Sequence, residues 1–135
     1  MLYRAQYSLF ALAGLVLAVS IGCGDGMPYQ VVPLEGTITF KGAPLENVLL
    51  DFTVEEYRNS GAYVQTGGRF EAIHSPSVRG VPVGTCTLRI GWGGGAENRP
   101  PADYEELFSQ YGMDTAGYIF EVPNRGDRNF RIDLE

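Results

Sequence analysis

The chain has 135 residues, 44% of them hydrophobic and 19% charged, a composition that fits one globular domain and excludes collagen-like and disordered classes. Arg4 is the only charge ahead of Cys23, so the remainder carries nine basic against 16 acidic side chains, a formal net of 9 − 16 = −7. That balance repels phosphate backbones and anionic membrane surfaces, no basic run interrupts it, and no nucleic acid is expected as a partner.

In chain order, Met1 to Gln6 carries Arg4, and Ser8 to Ile21 is an uncharged apolar run closed by Gly22 and Cys23. A run of about 14 residues falls short of the roughly 20 that span a bilayer, so residues 1–22 read as a secretory signal rather than a transmembrane helix. An uncleaved anchor is the alternative. Ile21, Gly22 and Cys23 resemble the lipobox of bacterial lipoproteins. The resemblance implies diacylglyceryl transfer to the Cys23 thiol and cleavage between Gly22 and Cys23. The protein would then sit outside the cytoplasm, held to a bacterial membrane by its N-terminal lipid. Two or more acyl chains, at about 0.8 kcal/mol per buried methylene, would make that attachment nearly permanent. An ordinary signal cut nearby, leaving Cys23 free, is the competing reading. Residues 23–31 form the lipidated Cys and a flexible tether, because Gly and Pro between Gly24 and Gln30 discourage regular structure. Cys86, the only other cysteine, would be left without a partner and reads as a small buried hydrophobe.

Residues 32–135 form the folded domain. Ile38 and Phe40 alternate with Thr37 and Thr39, and Val48, Leu50, Phe52 and Val54 with Leu49, Asp51 and Thr53. The spacing predicts half-buried strands over Gly36 to Phe40 and Val48 to Val54, joined by a turn at Lys41 to Leu45. Glu55 to Gly61 reads as a solvated loop, and Tyr63 to Gln65 as a weaker strand. Gly67-Gly68 supplies a turn into Arg69 to Ile73. That segment and Thr85 to Trp92 both alternate with period two and are expected to be neighbours in one sheet. His74 to Arg79 breaks the pattern around Pro76.

Gly91 to Gly95 reads as the most flexible stretch, and it lacks the Lys-Ser/Thr of a phosphate-binding P-loop. In Ala102 to Tyr111, Tyr104, Leu107, Phe108 and Tyr111 fall at i, i+3, i+4 and i+7, the stripe of a short helix. Asp103, Glu105 and Glu106 suit its N-terminus, and Gly112 suits its stop. Tyr118 to Val122 and Asn129 to Leu134 are the last two strands and are expected to form a hairpin around Gly126. About seven short strands with turns every 8 to 12 residues predict an all-β, Greek-key sandwich with one helix, preceded by the signal helix.

Gly36-Thr-Ile-Thr-Phe-Lys-Gly-Ala-Pro-Leu, Val48 to Phe52, Gly68-Arg-Phe, Pro82-Val-Gly-Thr-Cys-Thr-Leu-Arg-Ile and Asn129-Phe-Arg-Ile-Asp-Leu together resemble the carboxypeptidase regulatory-like domain. This is a prealbumin-like (transthyretin-like) sandwich found in small bacterial lipoproteins. Cys86 stands where that pattern usually has an aromatic. The resemblance implies a non-catalytic fold and supplies no catalytic residues.

Of the residues that could carry chemistry, His74 is the only histidine and no GxSxG elbow accompanies it. One His and one buried Cys do not furnish a zinc site. Glu55 with Glu56, or Asp103 with Glu105 and Glu106, lack the pattern of a calcium loop. No cofactor or metal is expected, and the chain is read as a non-enzyme that acts through contacts with an unknown envelope protein or polymer, or as a structural element of the cell envelope. Carbohydrate or another envelope polymer is the alternative ligand, stacking on Tyr57, Tyr63 and Trp92, although Trp92 also shares the parity of the buried positions.

Overall fold

Alternating side chains settle residues 28–135, the part of the chain that the computed structural model describes, into twelve strands and one helix. In chain order they are β1 (Val31–Val32), β2 (Leu34–Phe40), β3 (Ala43–Pro44), β4 (Val48–Val54), β5 (Ser60–Tyr63), β6 (Arg69–Glu71), β7 (Ile73–Ser75) and β8 (Val78–Arg79). Then come β9 (Val81–Pro82), β10 (Thr85–Trp92), α1 (Tyr104–Tyr111), β11 (Tyr118–Glu121) and β12 (Asp127–Leu134). The larger sheet runs β11-β10-β4-β5-β7-β8; the smaller runs β12-β2-β3, with β6 also on β2, and β1 and β9 pair separately. The result is an all-β sandwich.

The inward positions are those the alternation picks out. Leu34, Ile38 and Phe40 of β2, Val48, Leu50, Phe52 and Val54 of β4, Cys86, Leu88 and Ile90 of β10, and Ile132 and Leu134 of β12 share one buried cluster. Phe120 packs against it, its ring edge-on to Phe52 at 6.4 Å. Each such side chain, fully buried, contributes about 1.5 to 3 kcal/mol, which is what holds the two layers together. The first long strand and the last, β2 and β12, lie side by side and parallel, from Phe130 opposite Gly36 to Leu134 opposite Phe40.

Two expected pairings are not the ones formed. β6 and β10 are not neighbours: β6 pairs with β2 in the smaller sheet, whereas β10 lies between β4 and β11 in the larger. Residues 69–75 form an extended run that changes layers at Ala72, whose N–H donates to Leu34 O while β7 pairs with β5. Nor do β11 and β12 form a hairpin, since β11 pairs with β10 and β12 with β2. Val122 N–H bonds to Gly84 O and Asp127 N–H to Pro33 O, so the chain crosses between layers at Pro123, which has no N–H to continue the β11 ladder. Alternation fixes which face is buried; it is silent on which layer supplies the partner.

Other boundaries move less. β5 begins at Ser60 rather than Tyr63, so Ser60 and Gly61 leave the expected loop. The helix starts at Tyr104, with Leu107 buried and Tyr104, Phe108 and Tyr111 packed against the core. Gly112 stops it, its N–H bonded to Phe108 O. The tether is shorter than expected, because Tyr29 and Gln30 are already docked on the domain. Gly22, Cys23 and the signal helix lie outside the described residues.

Candidate functional site

The outward positions of the larger sheet are where the surface departs from an ordinary wet face. Register sets Gly91, Leu49 and Tyr63 side by side across β10, β4 and β5, and beside them Arg89, Asp51, Gly61 and Ile73 across four strands. Gly61 and Gly91 add no side chain, so the sheet dips between its neighbours. The resulting hollow of about 600 Å³ is walled by Leu49, Asp51, Tyr63, Ile73 and Met113. Leu49, Tyr63 and Ile73 are 46%, 45% and 48% exposed, and Met113 and Ile119 still more. β-branched and aromatic residues suit a strand whichever face they occupy. An exposed Ile opposite Gly, however, gains nothing from the core.

The polar groups on this face are already engaged. Asp51 accepts from Thr53 Oγ1 at 3.1 Å and from Asn59 Nδ2 at 3.2 Å, and Arg89 Nε donates to Thr115 O at 2.8 Å. Tyr63 OH donates to Asn47 Oδ1 at 2.7 Å, which restrains the ring beside the hollow.

The three expected ligand-stacking residues do not converge. Tyr63 alone faces the hollow. Trp92 pairs with Val48 on the opposite side of the sheet, stands edge-on to Tyr104 of α1 at 6.2 Å and donates from Nε1 to Asn98 O at 2.6 Å. Tyr57 follows the far end of β4 and stacks on Tyr29 at 4.1 Å. The Gly-rich stretch is used for close approach: a Cβ on Gly94 would lie 2.4 Å from the Trp92 ring, and one on Gly93 2.9 Å from Tyr63.

His74 is in a strand, not a loop, and is 2% exposed. It follows Phe70 and Ala72 at i+4 and i+2, so its inward direction was legible from parity alone; Pro76 obscured it. Its Nδ1 is 2.7 Å from Ser60 Oγ and its Nε2 2.7 Å from Tyr29 OH, with Tyr29 edge-on to the ring. Burial, then the Arg58 charge, hold its pKa below the ordinary value. A neutral ring with one N–H and one lone pair satisfies both hydroxyls. Ser60 is as buried as His74, so no substrate reaches its oxygen, and the trio ties the N-terminal segment to β5 and β7. Sequence reasoning had no signal for Tyr29, which lies outside any alternating run.

Burial likewise pushes the Cys86 thiol up to about 12, leaving it inert at neutral pH. Among the described residues, no three His, Cys, Asp or Glu side chains gather as a metal site, and no helix is long and apolar enough to cross a membrane. Comparison with family models, with curated proteins and with solved structures yields no match.

Proposed function

We propose that this protein is a non-enzymatic, lipid-anchored extracytoplasmic domain that docks an envelope protein through the open face of its larger sheet. The observation that carries the reading is the hollow walled by Leu49, Tyr63, Ile73 and Met113, apolar side chains left in water on a face whose core-side partners are fully buried. Contiguous apolar surface of this kind marks interaction sites on soluble domains. The Gly22-Cys23 junction supports the anchor, and the commitment of His74 and Ser60 to each other in the interior supports the non-catalytic reading. The likeness to the carboxypeptidase regulatory-like domain points the same way.

A photo-crosslinking residue at Ile73 or Leu49 in cells tests it against one at Thr37 on the other sheet. Discrete adducts from the first two and none from Thr37 are expected, and equal labelling from all three positions would refute the assignment. Replacing Cys23 by Ser is expected to release the chain from the membrane fraction. Carbohydrate is the second reading, favoured by the Tyr63 ring on the hollow; glycan binding lost in Tyr63→Ala but retained in Ile73→Arg would prefer it.

A further inference from the structure

The outward face of the smaller sheet carries a second site of opposite character. Arg69, Arg79, Arg128 and Arg131 are scattered in sequence, and strand register gathers them on or beside this face. Thr37 of β2 pairs with Arg69 of β6 on one side and Arg131 of β12 on the other. Partnered positions share a face, so the two guanidinium stems flank the Thr37 hydroxyl, with Cα atoms two strand spacings or roughly 10 Å apart. Both arginines line one shallow depression of about 190 Å³ with Gly36, Thr37, Asn129 and Phe130. Gly36, on the inward parity, lets the Phe130 backbone lie directly against β2, and the β12 irregularity between Asp127 and Phe130 displaces Asn129 from a regular ladder beside Thr37.

Three of the acidic residues around the depression are paired with arginine, and the fourth, Asp127, accepts from the Asn129 N–H at 2.7 Å. Arg79 pairs with Glu71 at 2.6 Å, and Arg128 with Glu35 at 3.7 Å. Asp133 accepts from Thr39 Oγ1 at 2.9 Å and lies 3.8 Å from Arg131. Arg69 takes part in none of the ion pairs among the described residues. The arrangement leaves one free guanidinium, a second held only at long range, and a hydroxyl between them, in a chain whose net charge is otherwise strongly negative.

We infer that Arg69, Thr37 and Arg131 form a binding site for a single phosphate-type oxyanion. A tetrahedral group offers oxygens to two forked guanidinium groups and a hydroxyl at once, and such bonds are the strong, charge-assisted kind. A carboxylate accepts near its own plane and carries a single charge, so it complements two cations and a hydroxyl less fully than a tetrahedral dianion. The overall negative charge opposes long polyanions, so the ligand is a free phosphate or small ester, or a phosphate headgroup presented by a lipid surface.

The test is a titration of the ¹⁵N-labelled full chain in maltoside micelles with inorganic phosphate, at constant ionic strength. Saturable shifts confined to the amides of residues 36, 37, 69, 129 and 131 are expected. Arg69→Gln/Arg131→Gln should weaken phosphate by at least about tenfold, and Arg125→Gln should leave it unchanged. Both arginines are exposed, and an unchanged melting curve shows that the double variant is folded. Shifts that rise linearly, that spread equally to Arg58, Arg99 and Arg125, or that acetate reproduces at the same concentration overturn the site. Transfer to nanodiscs separates the sources. Shifts at the same amides in phosphatidylglycerol discs, beyond those in micelles, identify a lipid headgroup, and saturation by inorganic phosphate alone identifies the free ion.

Discussion

Breaking the bond between Ser60 and His74 should reveal more by its non-additivity than by its size. Ser60→Ala removes the hydroxyl 2.7 Å from His74 Nδ1 and leaves that nitrogen buried without a partner, at about 1 to 3 kcal/mol. His74→Leu orphans Ser60 Oγ at a similar cost and also releases Tyr29 OH, whose bond is worth about 0.5 to 1.5 kcal/mol, for a total of about 1.5 to 4.5 kcal/mol. In the double variant neither orphan remains. Its loss should fall at least about 2 kcal/mol short of the sum, because each single change carries a desolvation penalty of about 1 kcal/mol or more that the pair does not. Urea unfolding of all four proteins measures the cycle. Additivity within about 0.5 kcal/mol would refute the claim that these two buried groups satisfy each other.

Other outcomes follow from the same packing. The folded state holds the His74 pKa below its unfolded value, so the stability this group contributes is complete above about pH 6.5 and is lost as the pH falls below that; His74→Leu should flatten the stability profile just below about pH 6.5, read by melting temperature. A Cβ on Gly36 would lie 1.7 Å from Phe130 O, so Gly36→Ala should push β12 off β2 and cost about 3 kcal/mol or more by urea unfolding. The Cys86 thiol, pushed up to about 12 and fully buried, should alkylate at pH 8 only as fast as the domain opens, with the rate rising in parallel with Gly36→Ala destabilisation. Ile73→Arg should alter stability by no more than about 0.5 kcal/mol while abolishing crosslinks from Leu49, since Ile73 is half exposed and opposite Gly61.

What the sequence made legible was the face of each side chain, and what it hid was the layer. Phe52, Leu88 and Ile132 meet in one interior because period-two alternation is enforced wherever one face is buried. The partners of β6, β11 and β12 were hidden because a layer change at Ala72 or Pro123 leaves the alternation of the flanking strands intact. His74 was hidden for a related reason: a proline two residues on reads as the end of a strand, yet Pro76 sits in the turn just after β7. The hollow was hidden by a different ambiguity. Leu49, Tyr63 and Ile73 occupy the polar parity, and one apolar residue there is unremarkable in any strand. Only register shows that three strands place theirs side by side, with glycines between them.

The docking of Tyr29 bears on how such a domain would be presented if Cys23 carries the anchor. A tether free through Gln30 would let the sandwich turn either face toward the membrane. Tyr29 instead bonds to His74 and stacks on Tyr57, Gln30 reaches Asn124, and β1 pairs with β9, so the chain leaves from the strand ends rather than from a sheet face. Six residues from Cys23 to Tyr29 reach at most about 20 Å, so an acylated Cys23 would hold the domain close to the bilayer surface. With Cys23 acylated, exit at the strand ends would leave both outward faces, the apolar hollow of the larger sheet and the arginine pair of the smaller, uncovered by the tether itself. The buried histidine is one of the groups that fix that geometry: it receives the Tyr29 hydroxyl, while the Tyr57 ring, Asn124 and the β1–β9 pair hold the rest of a segment whose glycines and proline suggest a flexible tether.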